Sequence, residues 1–142
     1  MRRLLKRATD KTQMETMEKT QKLKHEKTTK AIIGSAFEVF NELGLGFLEK
    51  VYQRALQAEL IQRGHSVELE PALTVKFKGI TVGNYAADLL VDEKVIVELK
   101  AAQKDNKQDE VQLLNELKAS ALEVGMLINY GREKVEFKSF IY

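Results

Sequence analysis

Two short apolar runs constrain this chain most: Tyr85-Ala86-Ala87-Asp88-Leu89-Leu90-Val91 and Val95-Ile96-Val97-Glu98-Leu99-Lys100, with only Asp92-Glu93-Lys94 between them. Runs of this length, joined by a short polar link, predict a β-hairpin. Side chains alternate faces along a strand, so Glu98 and Lys100 point the same way. Pairing across the hairpin brings Asp88 beside them. Two carboxylates and an amine then share one face of a sheet otherwise built from Val, Ile and Leu. Charge in such a setting costs free energy unless it is compensated, and a bound divalent cation is the natural compensation. Each residue also has a plainer reading. Asp88 is then a strand-end carboxylate, and Glu98 and Lys100 are the exposed face of an edge strand with Val97 and Leu99 buried opposite.

The rest of the chain supplies an α/β frame for the hairpin. Ile32, Ile33, Ala36, Phe37, Phe40 and Leu43 recur at steps of three and four, the stripe of an amphipathic helix beginning near 27. Gly44-Leu45-Gly46 stops it. A second helix is expected over 47–63, burying Leu48, Val51, Tyr52, Ala55, Leu56 and Leu60 and ending at Gly64. Strands follow at 66–70, 73–78, 80–91 (with an irregularity at Gly83) and 94–101, punctuated by Pro71 and Lys78-Gly79. A third helix spans 107–119, and strands 124–129 and 135–141 complete the order ααββββαββ. That order predicts a mixed central sheet flanked by helices. In the third helix Val111, Leu114 and Leu117 define the expected buried side, which leaves Gln112 opposite, beside Glu116.

At 142 residues the chain is long enough for one domain with a real core. It holds no cysteine, which excludes a disulfide framework and a thiolate metal site. No apolar run approaches the ~18–20 residues that cross a bilayer, and no apolar leader follows the first basic residues, so a cytoplasmic protein with no membrane partner is the expectation. Charge is unevenly spread. Residues 1–30 carry ten Lys or Arg against four carboxylates, and residues 31–142 carry 13 against 17. The chain therefore divides into a basic N-terminal extension over 1–26, read as poorly ordered or loosely helical, and a mildly acidic domain over 27–142. Met14 or Met17 is an alternative start. His25 and His65 lie in polar surroundings and are read as surface residues.

A second motif stands upstream of the hairpin. Gly46-Phe47-Leu48-Glu49-Lys50-Val51-Tyr52 reads Gly-x-x-Glu-x-x-Tyr, and Asp88 with Glu98-Leu99-Lys100 reads as an Asp followed by Glu-x-Lys. The segments 32–44, Gln112-Leu113-Leu114-Asn115 and 125–131 complete a pattern that resembles the GxxExxY protein family of the PD-(D/E)xK nuclease superfamily. The resemblance runs from about Lys30 to Tyr142.

The resemblance implies a restriction-endonuclease-like fold and a metal-dependent nuclease. It implies Mg²⁺ or Mn²⁺ held by Asp88, Glu98 and the main-chain carbonyl of Leu99, since such ions prefer hard oxygen ligands. It assigns Lys100 to the attacking water or the developing negative charge, Glu49 to support of the metal shell through water, and Gln112 to the substrate or the metal-bound water. The implied partner is nucleic acid, DNA before RNA, with a second copy of the chain as a further candidate. From the residues alone, Glu49 is either a surface carboxylate or an inward ligand, Gln112 is a solvated side chain, and Tyr52 is a core aromatic with a hydrogen-bonded hydroxyl. Relatives commonly carry a His and a Tyr where this chain has Asp109 and Glu116, and a Pro at Leu45, which bears on substrate contacts more than on the metal. A binding module that has lost its chemistry, and a different metal-dependent hydrolase, stand as the other readings.

Overall fold

The computed structural model describes residues 25–101, 107–131 and 133–142, so the extension expected over 1–26 lies almost wholly outside the described residues. The elements run α1 (Glu26–Leu43), α2 (Glu49–Gln62), β1 (Val67–Leu69), β2 (Ala72–Phe77), β3 (Ile80–Ala86), β4 (Leu89–Val91), β5 (Val95–Lys100), α3 (Lys107–Ser120), β6 (Val124–Tyr130) and β7 (Val135–Ile141). The main sheet has the order β1-β4-β5-β6-β7. Only β5 and β6 pair in parallel, and the other neighbours are antiparallel. Parallel neighbours need a long crossover, and α3 lies on it. This is the mixed sheet flanked by helices that the element order predicts.

Both faces of the sheet are covered. α1 and α2 lie on one face, where Ile32, Ala36, Leu56 and Leu60 meet Leu89, Val97, Leu99 and Met126. On the other face Leu113 and Leu117 of α3 meet Ile96 and Leu127, together with Leu73 of β2. Strands buried on two sides read as continuous apolar runs, which is why 95–100 and 124–130 are so rich in Val, Ile and Leu.

The structure corrects the strand expected over 80–91. The chain leaves β3 at Ala86 and re-enters the main sheet at Leu89. The β2–β3 pair is a separate two-stranded ribbon. Its register shifts between Val75 and Lys76, so the extra residue is Val82, next to the suspected Gly83. The crossing between the two sheets is held by Glu70 N–H donating to Asp88 O at 3.0 Å and Ala87 N–H donating to Pro71 O at 3.3 Å. Asp88 therefore sits at a junction and not inside a strand.

Helix faces differ from expectation in two places. In α2, Leu48 is the extended residue before the helix and is 80% exposed, while Gln53 is buried. In α3 the buried side is Leu113, Glu116 and Leu117, and Val111 is half exposed. The reason lies in β6. A Cβ built on Gly125 would stand 2.9 Å from Leu113 Cδ1, so the missing side chain is what lets Leu113 seat against the sheet. With Leu113 on the buried side, Glu116 and Leu117 share that side.

The two histidines are not surface residues. His25 is buried. His65 is 11% exposed at its side chain and places Nδ1 2.6 Å from Asp92 Oδ2. Asp92 also accepts from Thr28 Oγ1 at 2.8 Å and from the Ser66 amide at 3.1 Å, which ties α1 and the start of β1 to the β4–β5 turn.

Candidate active site

The open end of the β4–β5 hairpin is opposite that turn. Leu89 pairs with Val97, so Asp88 lies across from Glu98. The two interlock through the backbone. Asp88 N–H donates to Glu98 Oε1 at 2.8 Å, and Leu99 N–H donates to Asp88 Oδ2 at 2.7 Å. Each carboxylate keeps lone pairs free, and both are fixed by hydrogen bonds to main chain. Gln53, buried in α2, donates from Nε2 to Asp88 O at 3.0 Å and holds the junction from the other side of the sheet. No sequence signal marked it beyond its place one residue after Tyr52.

Gln112 is exposed, as its place on the helix suggests, but its amide also turns onto the acidic cluster. Its Nε2 donates to Glu98 Oε2 at 3.1 Å and to Glu116 Oε2 at 3.2 Å. Glu116, read from sequence as a departure from its relatives, is 3% exposed, and its Oε1 is buried without a hydrogen-bond partner. Lys100 Nζ stands 3.5 Å from Asp109 Oδ1. Asp88, Glu98, Lys100 and Gln112 thus come together, and Glu116 and Asp109 join them from α3.

Glu49 opens α2, exposed, and its carboxylate is close enough to act electrostatically on Lys100. The Gly-x-x-Glu-x-x-Tyr segment explains this placement. Gly46 has φ +100°, a backbone that side-chain-bearing residues rarely adopt. Tyr52 Oη donates to Gly44 O at 2.9 Å and accepts from Phe47 N–H at 3.2 Å, and its ring stacks on Tyr130 at 4.1 Å. The tyrosine staples the glycine turn to the core, and the turn presents Glu49 at a helix N-terminus. Tyr52 is structural, as the residues alone suggest.

The electrostatics of the cluster are those of uncompensated negative charge. Burial, then the neighbouring Glu116 and Asp88 carboxylates, push Glu98 up to about 9. Burial raises Glu116 as well, and Asp88 adds to that rise, against the lowering effect of its hydrogen bond from Gln112. Burial works against the Lys100 ammonium, but Asp109, Glu49 and Glu98 together outweigh it and raise its pKa. Lys100 is therefore favoured as a cation, and the buried Glu98–Glu116 pair is favoured toward its protonated form. Among the described residues no three ligating side chains close around a single point. The donor set is nevertheless hard oxygen throughout, crowded enough to raise two carboxyl pKa values, and it includes the orphaned buried Glu116 Oε1. That chemistry fits a hard divalent cation.

The sequence profile of the PD-(D/E)XK nuclease superfamily matches residues 26–140. The chain belongs to that superfamily. The match runs from the start of α1 into β7 and includes Asp88, Glu98 and Lys100. No curated protein matches the sequence closely enough to count as a relative. Among solved structures, the crystal structure of SSO0001 is similar over 84% of this chain and 61% of that one, at 17% identity and a TM-score of 0.50. An alkaline exonuclease from Laribacter hongkongensis, LHK-Exo, is similar over 65% of this chain and 54% of that one, at 12% identity and a TM-score of 0.41. This chain thus spans less than two thirds of either protein's length. Among the described residues no helix is long and apolar enough to cross a membrane.

Proposed function

We infer that this PD-(D/E)XK protein hydrolyses phosphodiester bonds of nucleic acid, DNA in the first instance, with Mg²⁺ or Mn²⁺ as its metal, and that it belongs to the GxxExxY subfamily. The observation that carries this reading is the interlock of Asp88 with the buried Glu98, two residues from Lys100 on the same strand, at a sheet junction inside a nuclease-superfamily domain. Perturbed carboxyls of this kind gather at functional sites.

Asp88 and Glu98 would hold the cation, with the carbonyl of Leu99 as a third oxygen. A bound divalent ion lowers the pKa of water and offsets charge on the attacked phosphate. A cation held there would favour the carboxylate form of Glu98, so metal binding would be linked to proton release. Lys100 is held as an ammonium by its acidic neighbours. It therefore donates hydrogen bonds to the attacking water or the developing oxyanion and is not a general base. Gln112 fixes the rotamers of Glu98 and Glu116 from α3. Glu49 balances Lys100 from the helix N-terminus. The basic segment before Ala31 is the one concentrated source of positive charge in the sequence, and we assign it to the phosphate backbone, which the acidic domain itself meets poorly. Cysteine-free composition suits action in the cytoplasm.

The pairing of Lys100 with Asp109, which occupies the amine, favours a second reading: a nuclease-fold module that binds nucleic acid without efficient cleavage. Incubating mixed DNA and RNA substrates with Mg²⁺ or Mn²⁺ separates the two. Wild type should degrade a substrate and Lys100→Ala should not. Binding without metal-dependent degradation by wild type would replace the nuclease with the binding module.

A further inference from the structure

A groove of about 770 Å³ lies between the β2–β3 ribbon and α3. Resting on the nuclease reading, we propose that this groove takes unpaired nucleotides next to the scissile phosphate, so that the substrate is single-stranded nucleic acid or a frayed end.

Four observations carry this. The first is position. Gln112 and Glu116 line the groove and are also the residues that contact or crowd Glu98. Two residues of the groove wall therefore bear directly on Glu98, which puts the groove beside the carboxylate–lysine site.

The second is its surface chemistry. Leu73, Val75 and Val111 give it an apolar wall, and Tyr85 stands beside them 54% exposed. A tyrosine left half in water at the mouth of an apolar groove is a stacking platform. Unpaired bases stack on such rings whatever their identity, since every base has a π-face, whereas the bases of a duplex already cover one another.

The third is charge. Lys76 and Lys118 flank the groove and are exposed, in a domain whose overall balance is acidic. Exposed amines beside an aromatic platform match a strand whose phosphates run outside its bases. Asn115, on the same helix, offers an amide able to meet a base edge.

The fourth is size. The volume falls among small-molecule sites, about 300–1,000 Å³, which suits flipped or unpaired nucleotides and not a double helix. The ribbon that forms one wall is itself outside the main sheet, which explains why the chain breaks at Ala87-Asp88: the same junction builds the groove and aims the site.

The test is fluorescence anisotropy with a short labelled strand, as DNA and as RNA, against the blunt duplex of the same sequence. Ca²⁺ stands in for the metal and salt is varied. Wild type should bind the single strand more tightly than the duplex. Tyr85→Ala should lose about tenfold in single-strand affinity with little change on duplex, while Tyr85→Phe keeps it. Lys76→Gln should lower the salt slope on the single strand by about 0.7. Tyr85 is exposed enough that thermal melts should match wild type. Equal affinity of Tyr85→Ala and wild type for the single strand, or equal losses on both forms, would overturn the proposal. Cleavage assays on the same proteins keep the two readings apart. Cleavage untouched by Tyr85→Ala leaves a nuclease without this groove. Tyr85-dependent single-strand binding with no cleavage leaves the groove without the nuclease. Neither binding nor cleavage by wild type sinks both.

Discussion

The β4–β5 hairpin carries an aspartate at each end, and the two ends behave oppositely. At the turn, burial alone would raise Asp92, but hydrogen bonds from His65, Thr28 and the Ser66 amide outweigh it and hold its pKa below the usual carboxylate range. At the open end, burial first and neighbouring carboxylates second raise the pKa of Glu98 and Glu116. The same hairpin thus bears, at one end, a carboxylate whose charge its partners favour and, at the other, a buried carboxyl whose charge its surroundings oppose. Satisfied carboxylates hold folds together. Crowded, unsatisfied ones persist when something outside the chain completes them.

Substitutions should separate the two ends. The largest effect expected is on turnover: Glu98→Gln should cut metal-dependent cleavage on the order of 10³-fold or more, while raising thermal stability at pH 8, because a neutral amide replaces a buried acid in a repulsive cluster. Asp92→Ala should do the reverse, costing about 1–3 kcal/mol of stability through lost charge-assisted hydrogen bonds and leaving the site's chemistry in place. Urea melts beside cleavage rates on both variants would show this crossing. A shared pattern, with both losing stability and both losing activity, would break the comparison.

The pH dependence should divide the same way. Asp92 has a depressed folded pKa, so its contribution is present above the ordinary carboxylate range and is lost as pH falls through its folded value. Glu98 has a raised one, so the folded state holds a proton that the unfolded chain has released. Stability should therefore decline as pH climbs from the ordinary carboxylate pKa toward about 9. Denaturation midpoints across pH should lose the alkaline decline in Glu98→Gln and the acid one in Asp92→Asn.

How much of this the sequence reveals depends on the range of the forces involved. The hairpin, the pairing of Asp88 with Glu98 and the glycine turn before Glu49 are local, and alternation with turn chemistry exposes them. The face of α3 is not local. Its apolar residues Val111, Leu113, Leu114 and Leu117 allow more than one buried side, and Leu113, which packs where Gly125 carries no side chain, is buried together with Glu116 and Leu117. Gln112 is exposed as the helix pattern suggests, and what the pattern does not reveal is that its amide meets Glu98 and Glu116. The break at Ala87-Asp88 is hidden inside an unbroken β-like run, and the His65–Asp92 contact joins residues 27 positions apart. The smallest effect expected follows from this. Gln112→Ala should lower turnover by about tenfold, as removal of a residue that orients a ligand commonly does, with affinity for substrate little changed. Single-turnover rates beside binding curves would check it.

The most direct measurement is a Mn²⁺ titration followed by thermal melting, on wild type, Glu98→Gln and Asp92→Asn in parallel. If the open end of the hairpin is a cation site, Mn²⁺ should raise the midpoint of wild type by the binding linkage. It should raise Asp92→Asn by the same amount from a lower start, and leave Glu98→Gln nearly unmoved. An equal Mn²⁺ shift in wild type and Glu98→Gln would contradict the account, because the ion would then be bound somewhere other than the crowded carboxylates.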